Sequence, residues 1–410
     1  MDKTVQPTKV LFIGGVFAKE NEAEVISHAK KSVEFSANIM QLKLIEGLKK
    51  VADTAVLSAP FIGHFPNQCS VFYFNGFSET QDLCNYVKFN NVWGFRNISR
   101  AHALKRQLHD FIRSDSGRKL IVVFSAHDPF LAAAAYAKKC DPNIRICLVA
   151  PDLPQFMNLE EKRGQLYDFF KRIDIQSIQK HILSVDSAVI LTRYMADALR
   201  LNDRPCLIAE GVVDELPECV EAPAKKADST VNIVYAGKLY FRFGLKNLLD
   251  AFSAMPENSY RLILCGNGDA VDDIKKYAEK DKRIIYTGQI SPEAVKQYIT
   301  NATVLVNPRM NDGVYTRYSF PSKNIEYLLS GKPLVAYMLD GMPECYRQFI
   351  YTIDPTNEPV IALKDALYEA IHAPADEIIR RYLDFSRYVS EGLLASSIAR
   401  KIVQISFNQE

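Results

Sequence analysis

"VNIVYAGKLYFRFGLKNLLDAF", residues 231–252, passes from strand to helix through a single glycine-flanked loop. Val231–Ala236 is a short apolar run of the kind that fills a buried strand, and a helix starts near Leu245. Between them, Gly237-Lys238-Leu239-Tyr240-Phe241-Arg242-Phe243-Gly244 carries two cations. The alternation continues outward in both directions. Downstream, Arg261–Cys265 is a strand that ends at Gly266-Asn267-Gly268, and Ile284–Tyr286, Thr303–Val306 and Pro333–Ala336 are further strands. Upstream, Lys9–Ile13 runs into Gly14-Gly15, and a long helical stretch follows through Leu48. Thr54–Ser58, Leu120–Ser125, Ile144–Val149 and Ala188–Leu191 are strands, with an alanine-rich helix over Leu131–Lys139. Strands that alternate with helices imply parallel sheets covered on both faces.

At 410 residues the chain is long enough for two such sheets. The polar stretch Glu215–Thr230 reads as the link between them. The expected organisation is a Rossmann-like domain over residues 1–215, a linker over 216–230, and a second Rossmann-like domain over 231–385. A final helix within 386–410, about Ser386–Ile405, is expected to pack back toward the first domain. The fold class is therefore α/β, two doubly wound domains facing a cleft. The C-terminal strand ends of both are expected at that cleft, where ligands of such sheets bind.

Composition narrows the function. The chain is 48% hydrophobic and 24% charged, which is ordinary for a globular protein and unlike a disordered one. A net charge of +2 argues against nucleic acid as the main partner. The eight cysteines are scattered with no C-x-x-C pair, so neither a zinc site nor a disulfide scaffold is expected. The N-terminus lacks a long apolar stretch, and no segment has the length and apolarity of a membrane span. The expected location is the cytoplasm, or the inner face of the cytoplasmic membrane. Arg96–Arg113 bears on that choice: Ala101, Leu104, Leu108 and Phe111 fall on one helical face, and His102, Arg106, His109 and Arg113 on the other. Such a helix either docks on anionic lipid or packs on a core with a solvated face.

Several stretches carry chemistry. Gly266-x-Gly268 follows a strand and opens a helix, so it could cradle a pyrophosphate, but Val271 stands where a dinucleotide fingerprint has its third glycine. In "YSFPSKNIEYLLSGKPLVAY", residues 318–337, Ser319 reads as an N-cap and Pro321 as a first-turn residue. Lys323 and Glu326 then sit one turn apart near a helix N-terminus, an anion site by its unpaired N–H groups and its dipole. They either hold a phosphate and a sugar hydroxyl or form an i,i+3 ion pair. His127, in "SAHDPF", ends a strand of the first domain and either recognises a sugar or helps to cap the next helix. Asp152, in "LVAPDLPQF", occupies the equivalent place after the following strand. No Ser-His-Asp pattern accompanies them.

Taken together, "VYAGKLYFRFGLKNLLDAF", "LILCGNGD", "IIYTGQISPEAVKQYITNATVLVNP" and "YSFPSKNIEYLLSGKPLVAY" resemble the retaining glycosyltransferases of the GT-B fold, family-4 type. The last stretch is similar to exopolysaccharide, capsule and lipopolysaccharide transferases. The first domain is looser in its resemblance, through "SVDSAVILTRYMADAL" and "IAEGVVD". What the resemblance implies is transfer of a sugar from a UDP- or GDP-linked donor, held by the second domain, to a saccharide or lipid-linked acceptor. Arg242 and Lys323 would bind the diphosphate, Glu326 the ribose, and Gly288-Gln289-Ile290 the base through its backbone. Gly237, Lys238, Gly266 and Gly268 complete the expected nucleotide site. Gly14, Gly15, His127, Asp152, Asp312 and Ser322 are expected on the sugar and acceptor side, with His127, Arg242 and Lys323 as the catalytic set. No metal or further cofactor is implied.

Two departures stand against this pattern. Tyr318 occupies the place of a glutamate that often touches the transferred sugar, with Asp312 a substitute, and Phe243-Gly244 replaces the usual Lys-Gly. A non-catalytic, transferase-like partner subunit and a nucleotide-sugar epimerase on the same fold are the competing readings.

Overall fold

The computed structural model describes residues 7–31, 33, 35–78, 84–114, 117–154, 165–217, 230–311 and 313–407. The chain forms two compact units, residues 1–214 with 392–410, and residues 215–391.

The first unit runs β1 (Thr8–Gly14), α1 (Glu22–His28), α2 (Ser36–Lys49), β2 (Asp53–Ser58), then the two-residue strands β3 (Tyr73–Phe74), β4 (Asn85–Tyr86) and β5 (Phe89–Asn90). It continues with α3 (Arg96–Arg106), α4 (His109–Arg113), β6 (Arg118–Phe124), α5 (Asp128–Cys140), β7 (Arg145–Ala150), α6 (Gln165–Ile182), β8 (Ser187–Ile190), α7 (Tyr194–Ala198) and β9 (Cys206–Ile208). Seven strands make one parallel sheet in the order β4-β2-β1-β6-β7-β8-β9. Val10, Phe12, Ile13 and Leu120–Val123 have no exposed surface. Such unbroken apolar runs are what a sheet covered on both faces requires.

The second unit begins at β10 (Val231–Lys238) and continues α8 (Leu245–Ser253), β11 (Tyr260–Asn267), α9 (Val271–Lys280), β12 (Ile284–Gly288), α10 (Pro292–Thr300), β13 (Val304–Asn307), α11 (Ser322–Leu329) and β14 (Leu334–Ala336). β15 (Tyr351–Thr352), α12 (Pro359–His372) and α13 (Ala375–Gly392) complete it. Its six strands are parallel in the order β12-β11-β10-β13-β14-β15. Local sequence explains some starts well: Ser291 Oγ accepts the Ala294 N–H at 3.3 Å, and Pro292 follows at the first helical position.

The last helix, α14 (Ala395–Phe407), belongs to the first unit and packs on α2, β7, β8 and β9. Ser187 and Ser406 share a buried hydrogen bond of 2.8 Å, and the Arg118 guanidinium lies 4.0 Å from the centre of the Phe407 ring. A side chain at Gly47 would put its Cβ 2.3 Å from the Ala395 carbonyl oxygen, so only glycine lets the two helices approach so closely.

Three expected helices are broken in the structure, two of them where backbone pairing from elsewhere in the chain competes with the helix. The stretch through Leu48 is interrupted because Ala29 turns extended and bridges Cys69, with the Lys30 N–H on the Gln68 carbonyl at 2.9 Å. Arg96–Arg113 is two helices: Gln107 closes α3 by bonding Leu104, and the buried Leu108 starts α4. The final helix divides at residues 393–394, where Val213 donates to Leu393 and accepts from Ala395 at 2.8 Å each. Most of the expected linker, residues 218–229, lies outside the described residues.

Candidate functional site

Because each sheet is parallel, the loops that follow its strands leave from one edge. In the second unit that edge gathers residues 238–244 after β10, 266–270 after β11, 288–290 after β12, and the approach to α11 after β13.

The first two loops are stitched together. The Leu239 N–H bonds the Asn267 carbonyl at 2.9 Å, Ala270 bonds Leu239 at 2.9 Å, and Phe241 N–H reaches Asp269 Oδ1 at 2.9 Å. Here the glycines have a packing reason. A Cβ on Gly266, whose φ is +139°, would fall 1.9 Å from the Gly237 carbonyl oxygen, and one on Gly268 would fall 2.2 Å from that of Leu239. Gly244 is left-handed at φ +78° and abuts the Pro308 carbonyl. Lys238 and Arg242 are exposed on this framework, and the Arg242 guanidinium lies 5.1 Å from the Tyr240 ring centre and 5.2 Å from that of Phe243. Gly288, at φ +75°, turns into the exposed Gln289 and the half-buried Ile290.

The helix α11 begins at Ser322, and Ser319 is not its N-cap: Pro321 holds that place, while Ser319 Oγ accepts from Arg309 at 3.1 Å. Two buried links aim the helix. Asn307 Nδ2 donates to Asn324 Oδ1 at 2.7 Å, and the Tyr327 hydroxyl both accepts from the Ala236 N–H at 2.8 Å and donates to its carbonyl at 3.0 Å. Ser322 and Glu326 are exposed and Lys323 is half-buried. Lys323 Nζ and Glu326 Oε2 pair at 2.7 Å, the i,i+3 alternative left open by the sequence. Asp312 lies outside the described residues.

At the edge of the first unit, the amides of α2 hold the Gly14-Gly15 turn. Gln41 Oε1 accepts the Gly15 N–H at 2.9 Å, and Asn38 brackets Phe17 through its N–H and carbonyl. Phe61 packs on Gly15 and stacks on His127, with ring centres 5.8 Å apart. The His127 backbone is the N-cap of α5, but its side chain caps nothing. Burial first, then the nearby Arg100 and Arg96 charges, hold this half-buried imidazole well below its ordinary pKa, so it is neutral at pH 7. Its Nδ1 has no hydrogen-bond partner among the described residues. Asp128 pairs with His181 at 3.0 Å, and Asp152 is exposed after β7. An apolar recess of ≈ 250 Å³ among Ile175, Ile178, Ile182 and Leu199 holds none of these residues.

Some residues that shape both sites were not expected. Arg100 is fully buried, with Nη2 on the Pro60 carbonyl at 2.6 Å and its guanidinium 4.4 Å from the Phe89 ring centre. A charge within the apolar stripe of α3, four residues before Leu104, was its visible signal. Asn307, Asn324 and Tyr327 left no such mark, because each acts on a partner far along the chain.

Residues 230–372 match the family described as glycosyl transferases group 1. No curated protein matches the chain. The apo form of the lipopolysaccharide outer core galactosyltransferase WaaB is similar in structure, with a TM-score of 0.61 and 14% identity over 98% of this chain and 100% of that one. Anabaena HepE in complex with UDP gives 0.57 and 12%, covering 97% and 98%. WaaG, a glycosyltransferase involved in lipopolysaccharide biosynthesis, gives 0.54 and 11%, covering 97% and 100%. At these identities the likeness is one of fold. Residues 230–372 thus match the group 1 glycosyl transferases, in a chain whose two parallel α/β units have the GT-B fold.

Proposed function

We propose that the protein transfers a sugar, with retention, from a nucleotide-diphosphate-sugar to a saccharide or lipid-linked saccharide acceptor in surface polysaccharide or glycoconjugate synthesis. The observation that carries this is the arrival of Lys238, Arg242, Lys323 and Glu326 at one edge of a single parallel sheet. The Lys323–Glu326 pair is no obstacle. Its side chains are 42% and 49% exposed, and such surface pairs contribute about 0–1 kcal/mol. A charged hydrogen bond to phosphate contributes about 1.5–3 kcal/mol, so a donor displaces the pair: Lys323 turns to phosphate and Glu326 accepts from ribose hydroxyls. UDP is the favoured nucleotide, since HepE has been solved with UDP and with UDP and glucose.

In the reaction the bond between the anomeric carbon and the diphosphate oxygen breaks. Arg242, Lys323 and the first N–H groups of α11 take up the developing negative charge. The acceptor hydroxyl bonds to the same face of the sugar and passes its proton to a phosphate oxygen. Neutral His127 orients the transferred sugar, and Asp152 meets the acceptor. These cations do the work a metal would do, so turnover is expected to survive EDTA. The α3 face bears on location: Phe95 is 68% and Ile98 71% exposed, next to the exposed His102 and Arg106, a combination suited to peripheral contact with anionic lipid. Among the described residues, no helix is long and apolar enough to cross a membrane.

Calorimetry with UDP and GDP tests the donor site. One should bind, and Lys323→Ala and Arg242→Ala should each weaken it by about 1.5–3 kcal/mol. Binding of neither nucleotide would sink the proposal. Slow donor hydrolysis separates an enzyme from a non-catalytic partner subunit, which should show none.

A further inference from the structure

A further cation stands at the same edge. Arg309 lies two residues beyond β13, and β13 runs between β10 and β14 in the sheet, so Arg309 leaves it between the 238–244 loop and α11. Its guanidinium is held in place from several sides. It lies 5.4 Å from the Phe243 ring centre and 4.9 Å from that of Tyr315, and Nη2 donates to the Tyr315 hydroxyl and to Ser319 Oγ. Arg242 sits 5.2 Å from the same Phe243 centre, which puts the two guanidinium carbons no more than about 11 Å apart.

Among the described residues the charge of Arg309 is unmatched: no carboxylate pairs with it, and its Nε is buried without a hydrogen-bond partner. A guanidinium offers five N–H donors, and the two acceptors it meets are neutral hydroxyls. Two cations on one ring repel each other, and a long side chain loses rotamer freedom when it is pinned. An anion lying between them offsets both effects. We propose that Arg309 is a phosphate-binding residue of the donor site, placed by the Phe243 and Tyr315 rings so that its fork meets the donor diphosphate together with Arg242. This assignment rests on the nucleotide-sugar reading above. It gives Phe243 a purpose, as the platform on which two cations converge.

The alternative is that Arg309 only pins residues 308–321 in place, and two variants tell the roles apart. Arg309→Gln removes the charge and the fork. The double variant Tyr315→Phe, Ser319→Ala removes the hydroxyls that hold Arg309 but leaves its guanidinium. With calorimetric titration of UDP or GDP, whichever the wild type binds, Arg309→Gln should lose roughly ten- to hundredfold in affinity. The double variant should stay within roughly threefold of wild type, and Arg309→Lys should fall between, because an ammonium keeps the charge without the fork. If Arg309→Gln does not fold, Arg309→Lys is set against the double variant in its place. Unchanged affinity in the charge-altering variant, or an equal loss in the double variant, overturns the assignment and leaves Arg309 a loop pin. If wild type binds neither nucleotide, the donor site itself is wrong and this inference falls with it.

Discussion

Asp174 shows how a single side chain can set pH dependence. Burial, reinforced by the nearby Asp128 charge, raises its pKa to about 6, against a 3.3 Å hydrogen bond from Asn97 that favours the charged form. The folded value lies above the ordinary carboxyl value near 3.9. Between about pH 4 and 6 the unfolded chain therefore gives up its proton first, so stability falls as pH rises and the cost is complete above about 6. Asp174→Asn should gain about 1–2 kcal/mol at pH 7 and flatten the pH dependence of urea unfolding across that window. His127 works from the other side. Its depressed pKa lets the unfolded chain bind a proton first below about pH 6.5, so its burial costs stability progressively in acid. In catalysis, His127→Ala should lower kcat far more than donor affinity, since a contact to the reacting sugar matters most as positive charge develops there. A variant with normal turnover would remove His127 from the reacting centre. At this scale the sequence showed Lys323 and Glu326 because they are near neighbours on one helix. It could not show that Arg309 meets Phe243.

Elements turn those residues into a site. β10 pairs with β13 only at Ile233 and Val234, so the N–H and carbonyl of Ala236 are free to bond elsewhere, and the Tyr327 hydroxyl takes both. Tyr327 has no exposed surface, and burial drives its hydroxyl pKa upward, so it remains a donor at any working pH. Tyr327→Phe leaves two polar backbone groups unpaired and should cost the second unit about 1–3 kcal/mol. Donor affinity should fall as well, although Tyr327 would touch no donor atom, because α11 loses its anchor. Unaltered stability by thermal unfolding would show that this link is not what fixes the helix. The α3 face makes a separate claim: the protein should co-sediment with anionic vesicles and release at high salt, where screening removes the attraction. Equal recovery with neutral vesicles would mean that its basic residues are only solvated. Periodicity located most of these elements, yet it ran α3 into α4 and α13 into α14. The second break comes from a backbone partner, Val213, that lies elsewhere in the chain, whereas the first is a local turn closed by Gln107 on Leu104.

At the scale of the molecule, the first unit is assembled from both ends of the chain. Ile398 and Ile402 of α14 have no exposed surface, so this last helix completes the core of the unit that β1 begins. Ile402→Ala should destabilise that unit by about 2–5 kcal/mol, through lost burial and the cavity left behind. The unfolding transition of residues 215–391 should not move. A single transition shifted as a whole would show that the two units unfold together.

What the sequence determined by itself is what short-range physics encodes. Unbroken apolar runs alternating with helical stretches require parallel sheets, and the break near Glu215–Thr230 makes them two. The spacing of Lys323 and Glu326 puts both on one helical face, whatever surrounds them. Only the tertiary structure decided which distant residues meet. Gly266 is required by the Gly237 carbonyl, α11 is aimed by Ala236 and Asn307, and Arg309 is carried to Phe243 by the order β11-β10-β13-β14. Strand order is set by how whole layers pack, and no local period records it. The same packing decides where a buried charge such as Arg100 can be tolerated, because its partners are a carbonyl after β2 and an aromatic ring in β5.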